Sequence, residues 1–484
     1  MTTIALLALL LPLAPVAPRT VNTLTPAATL DAHPDADAAK QWKEWGKDLD
    51  DLFDQIEKPS SLEKILKEKG VDWKKVKKEA QARFDTFAKA AKKSKKDWDA
   101  EAQAEQAAQF YGVLDYVVGQ LRDSHAHVKA KGDVAEDYRS SQPKRHQAGI
   151  EFLRGAHGLI LVSNTFAGRG SNSPLHGKGV RHEQTYVESI NGVSADEFFE
   201  ERAREVWEEQ GWQSSPFRAH VEAMNRLDMA EGESLKFVFQ TLTSSDKELD
   251  RYLETPPDRR EKAFKKLSWK KSKTSLRFNE CEKTQNPRNF IFMHLPRPKL
   301  ETTVDQGVHY GRLDSGYGYI ATYSVSDQSR AAYETACEAL SDCPGLILDM
   351  RRNGGGGNSG VGALHRKDGV WDKPVAVLMG PKTMSQGETE IWSLRTMRDQ
   401  RMCNVRLFGQ TTAGSSGRKA QFELPSGLAS GQFVIDHWNN GQQTIEGRGI
   451  EPDEEVLQDI VELSRGIDSC IRRAELWLGE EASG

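Results

Sequence analysis

The sequence predicts a multidomain α/β protein, and three changes of texture along the chain predict it. Residues from about Gln41 to Leu121 are helical in composition, with apolar side chains at helical spacing. Between Arg145 and Gln240 short apolar runs and an Asn-Gly turn take over. From Gly318 onward strand-like and helix-like segments alternate, which indicates an α/β domain. At 484 residues the chain exceeds one compact core, so roughly two to four domains are expected.

The first segment, Ile4 to Ala17, is apolar and contains Pro12 and Pro15. It is too short to span a bilayer as a helix but suits the apolar region of a secretory signal. Met1-Thr2-Thr3 lacks the Lys or Arg such a signal usually carries. Residues 1–20 therefore read as a signal segment, implying export to a periplasm or the outside, and residues 21–39 as a Pro, Ala and Asp-rich linker. No later stretch reads as a membrane span. With 66 basic and 71 acidic residues the net charge is −5, whereas a general nucleic-acid binder needs a positive excess. The five cysteines, Cys281, Cys337, Cys343, Cys403 and Cys470, are an odd number without metal-ligand spacing. Cys337 and Cys343 could pair, but unconnected buried thiols are the simpler expectation.

In the helical region, 40–144, Trp42, Trp45, Leu49, Leu52, Phe53 and Ile56 define one apolar face. Gly70 and Ser94-Lys95-Lys96 mark breaks. The lysine runs have acidic neighbours and read as solvated helix faces. In region 145–244, Ile150 to Leu153, Gly158 to Ser163 and Tyr186 to Val193 read as strands. The last of these passes through Ile190-Asn191-Gly192. Ser194 is placed to cap a following helix, and Leu235 to Phe239 is a further strand. This order resembles a PDZ domain, enlarged by a helical insertion from about Arg204 to Asp228. PDZ-like modules hold extended peptides as an added strand; a purely structural sheet is the alternative. Residues 245–304, charged and with Pro256-Pro257, read as an irregular connector.

In the last domain, 305–475, Ala331 to Leu340 and Glu388 to Arg398 read as helices. Gly345 to Met350, Val375 to Met379 and Val405 to Phe408 read as strands. The run Leu346 to Asp349 enters Met350-Arg351-Arg352-Asn353 and four glycines, Gly354 to Gly357. Successive glycines let backbone N–H groups converge on an anion. No Gly-Lys-Ser/Thr follows, which disfavours a phosphate loop. After the next strand comes Met384-Ser385-Gln386-Gly387-Glu388, placing a serine at a strand end beside that turn. Ser385 is thus a candidate nucleophile, and it needs a base. Asp123-Ser124-His125-Ala126-His127 offers two histidines. No His-Glu-x-x-His or other ligand cluster occurs, so neither a metal nor another cofactor is expected.

The Asp-Met-Arg-Arg-Asn-Gly-Gly turn, Ser385 to Glu388, Gly409-Gln410-Thr411-Thr412-Ala413-Gly414 and Ile445-Glu446-Gly447-Arg448-Gly449-Ile450-Glu451 together resemble the tail-specific, or C-terminal processing, protease family. The resemblance implies an N-terminal helical domain, a PDZ-like domain and a crotonase- or ClpP-like α/β catalytic domain, acting on a polypeptide substrate. One branch of the family uses a lysine just after Gly-x-Thr-x-Gly; that position is Ser415 here, and Lys419 and Lys382 are out of register. The tricorn-like branch uses a Ser-His pair and a late glutamate, which Ser124-His125 and Glu446 match.

The implied roles are Ser385 as nucleophile, His125 as general base and then acid, and Glu446 acting through Ser124. Glu451 competes with Glu446. The implied oxyanion donors are the N–H of Gln386 and one from the turn around Gly354 and Gly355. Glu388 is expected to begin the helix, favoured by its dipole. His127 is an alternative base, and His437 reads as structural. Retinoid-binding proteins of the eye resemble the same fold used without catalysis, so a binding protein is the second expectation; a small-ester hydrolase is the third.

Overall fold

The computed structural model describes residues 38–59, 62–93, 99–141, 145–147, 150–162, 180–207, 213, 215–225, 227–278, 282–283, 295–296, 298, 300, 303–305, 307–357, 365–366, 369–370, 372–437 and 444–483. The expected signal segment, nearly all of the linker, the Ser94 to Lys96 break and Cys281 lie outside the described residues. Among the described residues no helix is long and apolar enough to cross a membrane.

Four helices, Ala38–Glu57, Leu62–Glu68, Trp73–Lys93 and Ala100–Gly119, begin the described chain. The first buries Trp42, Trp45, Leu49, Leu52, Phe53 and Ile56, the face its spacing predicts. Asp99 caps the fourth through the N–H of Ala102 at 2.8 Å. Their shared core also takes in Phe422, Leu424, Leu428 and Phe433. These come from the hairpin Gly417–Glu423 and Ala429–His437, far along the chain. Each such side chain contributes roughly 1.5–3 kcal/mol on burial, so the helices and the hairpin are held as one body. The strand His127–Ala130 completes that sheet, with His127 opposite Gln432.

A second sheet orders Glu151–Gly155, Gly158–Val162, Thr185–Ile190, Ser234–Leu242 and Trp269–Arg277, all antiparallel. Asn191 and Gly192 turn at φ 52° and 89°, the left-handed pair a tight hairpin requires. Ser194 then caps the helix Ala195–Glu205 through the N–H of Glu197 at 3.2 Å. The expectation of an irregular connector over 245–304 is corrected here. Helices Asp246–Leu253 and Pro257–Phe264 lie within it. The lysine-rich stretch is the nine-residue strand Trp269–Arg277, paired along its length with Ser234–Leu242. Its exposed Lys270, Lys271 and Lys273 hid the strand pattern; charge of this kind is how an edge strand resists further pairing.

The third sheet has seven described strands, in spatial order Thr303–Asp305, Val308–Arg312, Gly318–Thr322, Leu346–Asp349, Val375–Met379, Val405–Gly409 and Glu454–Glu455. The first two pairings are antiparallel and the rest parallel. Strands 346–349 and 375–379 are buried at every residue, as a sheet covered on both faces requires. Helices Asp327–Ala339 and Gln386–Asp399 pack with Leu346, Leu348, Val375 and Val377. Helix Ser469–Ser483 packs on the alternate residues Ile347, Ala376 and Leu378. Parallel strands ending at Asp349 and Met379 send their following turns to the same edge, and that brings the glycine turn to Ser385.

Candidate active site

The glycine turn is anchored below by buried charge. Arg351 binds Asp349 with Nη2–Oδ2 at 2.6 Å and Asp468 with Nη1–Oδ2 at 2.8 Å, and Tyr319 donates to Asp349 at 2.9 Å. Burial would push the Asp349 carboxyl up, but Arg351 outweighs it and holds it below the usual range. Above this anchor Asn353 is fully buried, its Oδ1 accepting from Gly355 N–H at 2.8 Å and its carbonyl from Met384 N–H at 3.0 Å. Gly355 sits at φ 84°, and a Cβ there would lie 2.6 Å from the Cβ of Ser385. The turn therefore touches the serine, and only glycine allows it.

Ser385 precedes the helix Gln386–Asp399 at φ 57°, ψ −126°. For a serine this backbone costs about 1–3 kcal/mol and persists only where its surroundings enforce it. The enforcement comes from residues 412–416, which run beside the serine. Ala413 N–H binds Thr383 O at 2.9 Å, Ser385 N–H binds Ser415 O at 2.7 Å, and Ser416 Oγ binds Ser385 O at 3.1 Å.

Two buried glutamates hold that strap. Glu388 accepts from Thr412 Oγ1 at 2.5 Å, Gly414 N–H at 2.7 Å, Ser415 N–H at 2.8 Å and Ser385 N–H at 3.3 Å. Burial pushes its carboxyl up to about 7 despite these four donors, and Glu446 nearby adds to the rise. Glu446 accepts from Ser416 N–H at 2.8 Å and is paired with Lys69 Nζ at 2.7 Å, both side chains fully enclosed. Burial raises the Glu446 carboxyl against the opposing pull of Lys69.

The histidine turn arrives from the helical region. Lys69 Nζ donates to Arg122 O at 2.8 Å, and Arg122 Nη1 donates back to Lys69 O at 2.8 Å. Asp123, buried, accepts from His125 N–H at 2.8 Å and from Val434 N–H at 2.9 Å. Burial acts to raise its carboxyl, but His125 and Lys69 prevail and keep it low. Gln432 Nε2 donates to His125 O at 2.9 Å, so strand pairing after the turn fixes its height.

Ser415 joins the two halves. Its Oγ lies 2.7 Å from His125 Nδ1 and accepts from Ser124 Oγ at 2.7 Å, while its carbonyl holds Ser385 N–H. Ser385, Ser124, His125 and Glu446 are thus brought around one short segment. Glu446 meets it at Ser416 rather than through Ser124. With Nδ1 engaged, Nε2 is the histidine nitrogen left for other work.

Of the implied oxyanion donors, Gly354 N–H is bonded to Tyr323 O at 3.1 Å and Gly355 N–H to Asn353. Gln386 and Gly356 N–H have no acceptor among the described residues. Lys419 is exposed on the strand Gly417–Glu423, and Lys382 is buried. His127 Nδ1 lies 3.3 Å from His125 O, His437 ends the strand Ala429–His437, and Glu451 is exposed. Among the described residues no three His, Cys, Asp or Glu side chains gather as a metal-binding group. Cys337, Cys343, Cys403 and Cys470 form no disulfide with one another.

Sequence reasoning missed four groups. Ser415 was noticed only as the place of an absent lysine, and Glu388 only as a helix start. Asp123 had a signal, standing two residues before His125. Lys69 had none, because nothing local marks a lysine that will be buried against a glutamate near the other end of the chain. The helical insertion also reaches the site. Trp207 lies 4.6 Å beneath the Arg122 guanidinium, Ser215 Oγ donates to Ala413 O at 3.0 Å, and buried Arg218 binds Pro381 O.

Residues 358–456, which include Ser385, Ser415 and Glu446, match the family model of peptidase family S41. That match supports a serine-type peptidase. Mature CPAF complexed with lactacystin has a similar fold at 10% identity and a TM-score of 0.53, covering 91% of this chain and 98% of its own. A putative peptidase from Parabacteroides merdae is 24% identical over 37% of this chain and 67% of that one, with a TM-score of 0.33. The photosystem II D1 C-terminal processing protease matches at 14% identity over 87% of this chain and 98% of its own, with a TM-score of 0.33. No curated protein matches the chain by sequence.

Proposed function

We propose that this chain is a serine endopeptidase that cleaves polypeptides through an acyl-enzyme on Ser385, with His125 as base. The observation that carries this reading is the double engagement of Ser415, whose carbonyl binds Ser385 N–H while its hydroxyl meets His125 Nδ1. With Nδ1–H donated to Ser415 Oγ, the Nε2 lone pair takes the Ser385 proton as Oγ attacks the scissile carbonyl. The imidazolium formed is stabilised by Asp123 and, at longer range, Glu446, with Lys69 preventing the two carboxylates from repelling each other. The same Nε2–H then protonates the leaving amine, and water repeats the sequence to release the acid.

The oxyanion would be received by Gln386 N–H at the helix start, helped by Gly356 N–H, with Gly354 and Gly355 fixing the turn. Their unengaged state supports that choice. Ser124 serves as the outer hydroxyl of the Ser124–Ser415–His125 chain. The sheet between Glu151 and Arg277 is assigned as a PDZ-like module presenting the substrate. Its insertion, through Ser215 and Arg218, supports a mechanical link to the site. The apolar leader supports export.

Lys419 as base is the less favoured reading: partial burial lowers its ammonium against the pull of Asp123 and Glu446, but among the described residues it makes no hydrogen bond to the strap, whereas His125 does. The test is a serine-reactive phosphonate followed by peptide mapping. Label is expected on Ser385 in the wild type and absent in Ser385→Ala. An unlabelled, folded wild type would overturn the hydrolase reading.

A further inference from the structure

Two adjacent arginines enter the glycine turn and are treated in opposite ways. Arg351 is buried and doubly neutralised by Asp349 and Asp468. Arg352 is half-exposed, with its guanidinium stacked 4.4 Å over the Tyr323 ring. It makes no ion pair among the described residues. No carboxylate among the described residues neutralises it, and a stacked guanidinium is held with its N–H edge directed outward.

Its place is defined by the turn. Tyr323 O binds Gly354 N–H at 3.1 Å, and His309 packs edge-on against the Tyr323 ring at 4.9 Å. Asn353, the next residue, receives Met384 N–H at 3.0 Å, and Met384 directly precedes Ser385. Gly355, which touches Ser385, is three residues on, so the two Cα atoms are at most about 11 Å apart. An extended polypeptide advances about 3.3 Å per residue, so Arg352 lies within a few substrate residues of the bond being cut.

The geometry points to Arg352, on its Tyr323 shelf, as a specificity residue that receives a carboxylate of the substrate polypeptide close to the scissile bond. This rests on the endopeptidase reading above. The planar guanidinium can accept a carboxylate through two parallel N–H···O bonds, and the tyrosine face leaves those donors free. The carboxylate has two sources, an Asp or Glu side chain within the substrate or the substrate's own C-terminus.

The test is a panel of internally quenched peptides of one sequence, with Glu or Gln at successive positions on each side of the cleaved bond. Each is made with a free or amidated C-terminus. In the wild type one Glu position, or the free C-terminus, should raise kcat/KM by about tenfold, the scale of one partly solvated charged pair. Arg352→Gln should bring that ratio to about one, and Arg352→Glu should invert it in favour of Lys at the same position. Which arm responds identifies the source. Equal ratios in wild type and Arg352→Gln, with Ser385 still labelled, would overturn this proposal and leave the endopeptidase reading intact. Loss of Ser385 labelling in the wild type would overturn both.

Discussion

The two sides of the site are built differently. The nucleophile side is made within one domain, where turn 353–357, Ser385, Glu388 and strap 412–416 are joined by bonds between near neighbours in the α/β fold. The histidine side is assembled from distant parts, with Lys69 and residues 122–125 delivered by the helices and held against Glu446 and the hairpin. The first side places a strained serine before any base is present. The second supplies the base, and Ser415 and Ser416 of the strap bond to both.

Breaking either side should therefore give different losses. Ser385→Ala should remove peptide cleavage entirely, and His125→Ala should lower kcat by about 10⁴-fold or more, as in other serine–histidine sites; steady-state kinetics on a quenched peptide measures both. Ser415→Ala keeps both reacting groups but frees the imidazole. It should lower kcat by about 10- to 100-fold with little change in KM, and an unaltered kcat would remove Ser415 from the account.

Lys69→Met strikes the histidine side at its base. It leaves Glu446 buried without a counter-charge, an effect of about 3–5 kcal/mol in denaturant unfolding. The double variant Lys69→Met/Glu446→Gln should recover part of it. The nucleophile side answers instead to pH. Folded Glu388 titrates at about 7 against an ordinary 4.5, so between those values the folded chain holds the extra proton. Its contribution to stability is full below about pH 4.5 and is lost as pH rises through 7. Glu388→Gln should flatten that part of the stability–pH curve. Lys419→Ala, which removes a charge near Asp123 and Glu446 but no hydrogen bond to Ser385 or His125, should change kcat by much less than His125→Ala, by about twofold.

What the sequence made legible follows the same division. The α/β domain could be read because its strands are continuous apolar runs and its turn is punctuated by glycine. Ser385 stood out by position within that pattern. Helix faces such as Trp42 to Ile56 were legible for the same reason, periodicity. The strand Trp269–Arg277 was not, because lysines on an edge mask its alternation. The roles of Lys69, Ser415 and Glu388 depend on contacts between residues far apart in sequence, and no local pattern encodes those. Asp123 could have been suspected from its place beside His125.

The most direct test is the rate of phosphonate labelling at Ser385 across pH in wild type, His125→Ala and Lys419→Ala. His125→Ala should abolish labelling while Lys419→Ala labels like the wild type. Labelling that survives in His125→Ala and disappears in Lys419→Ala would contradict His125 as base.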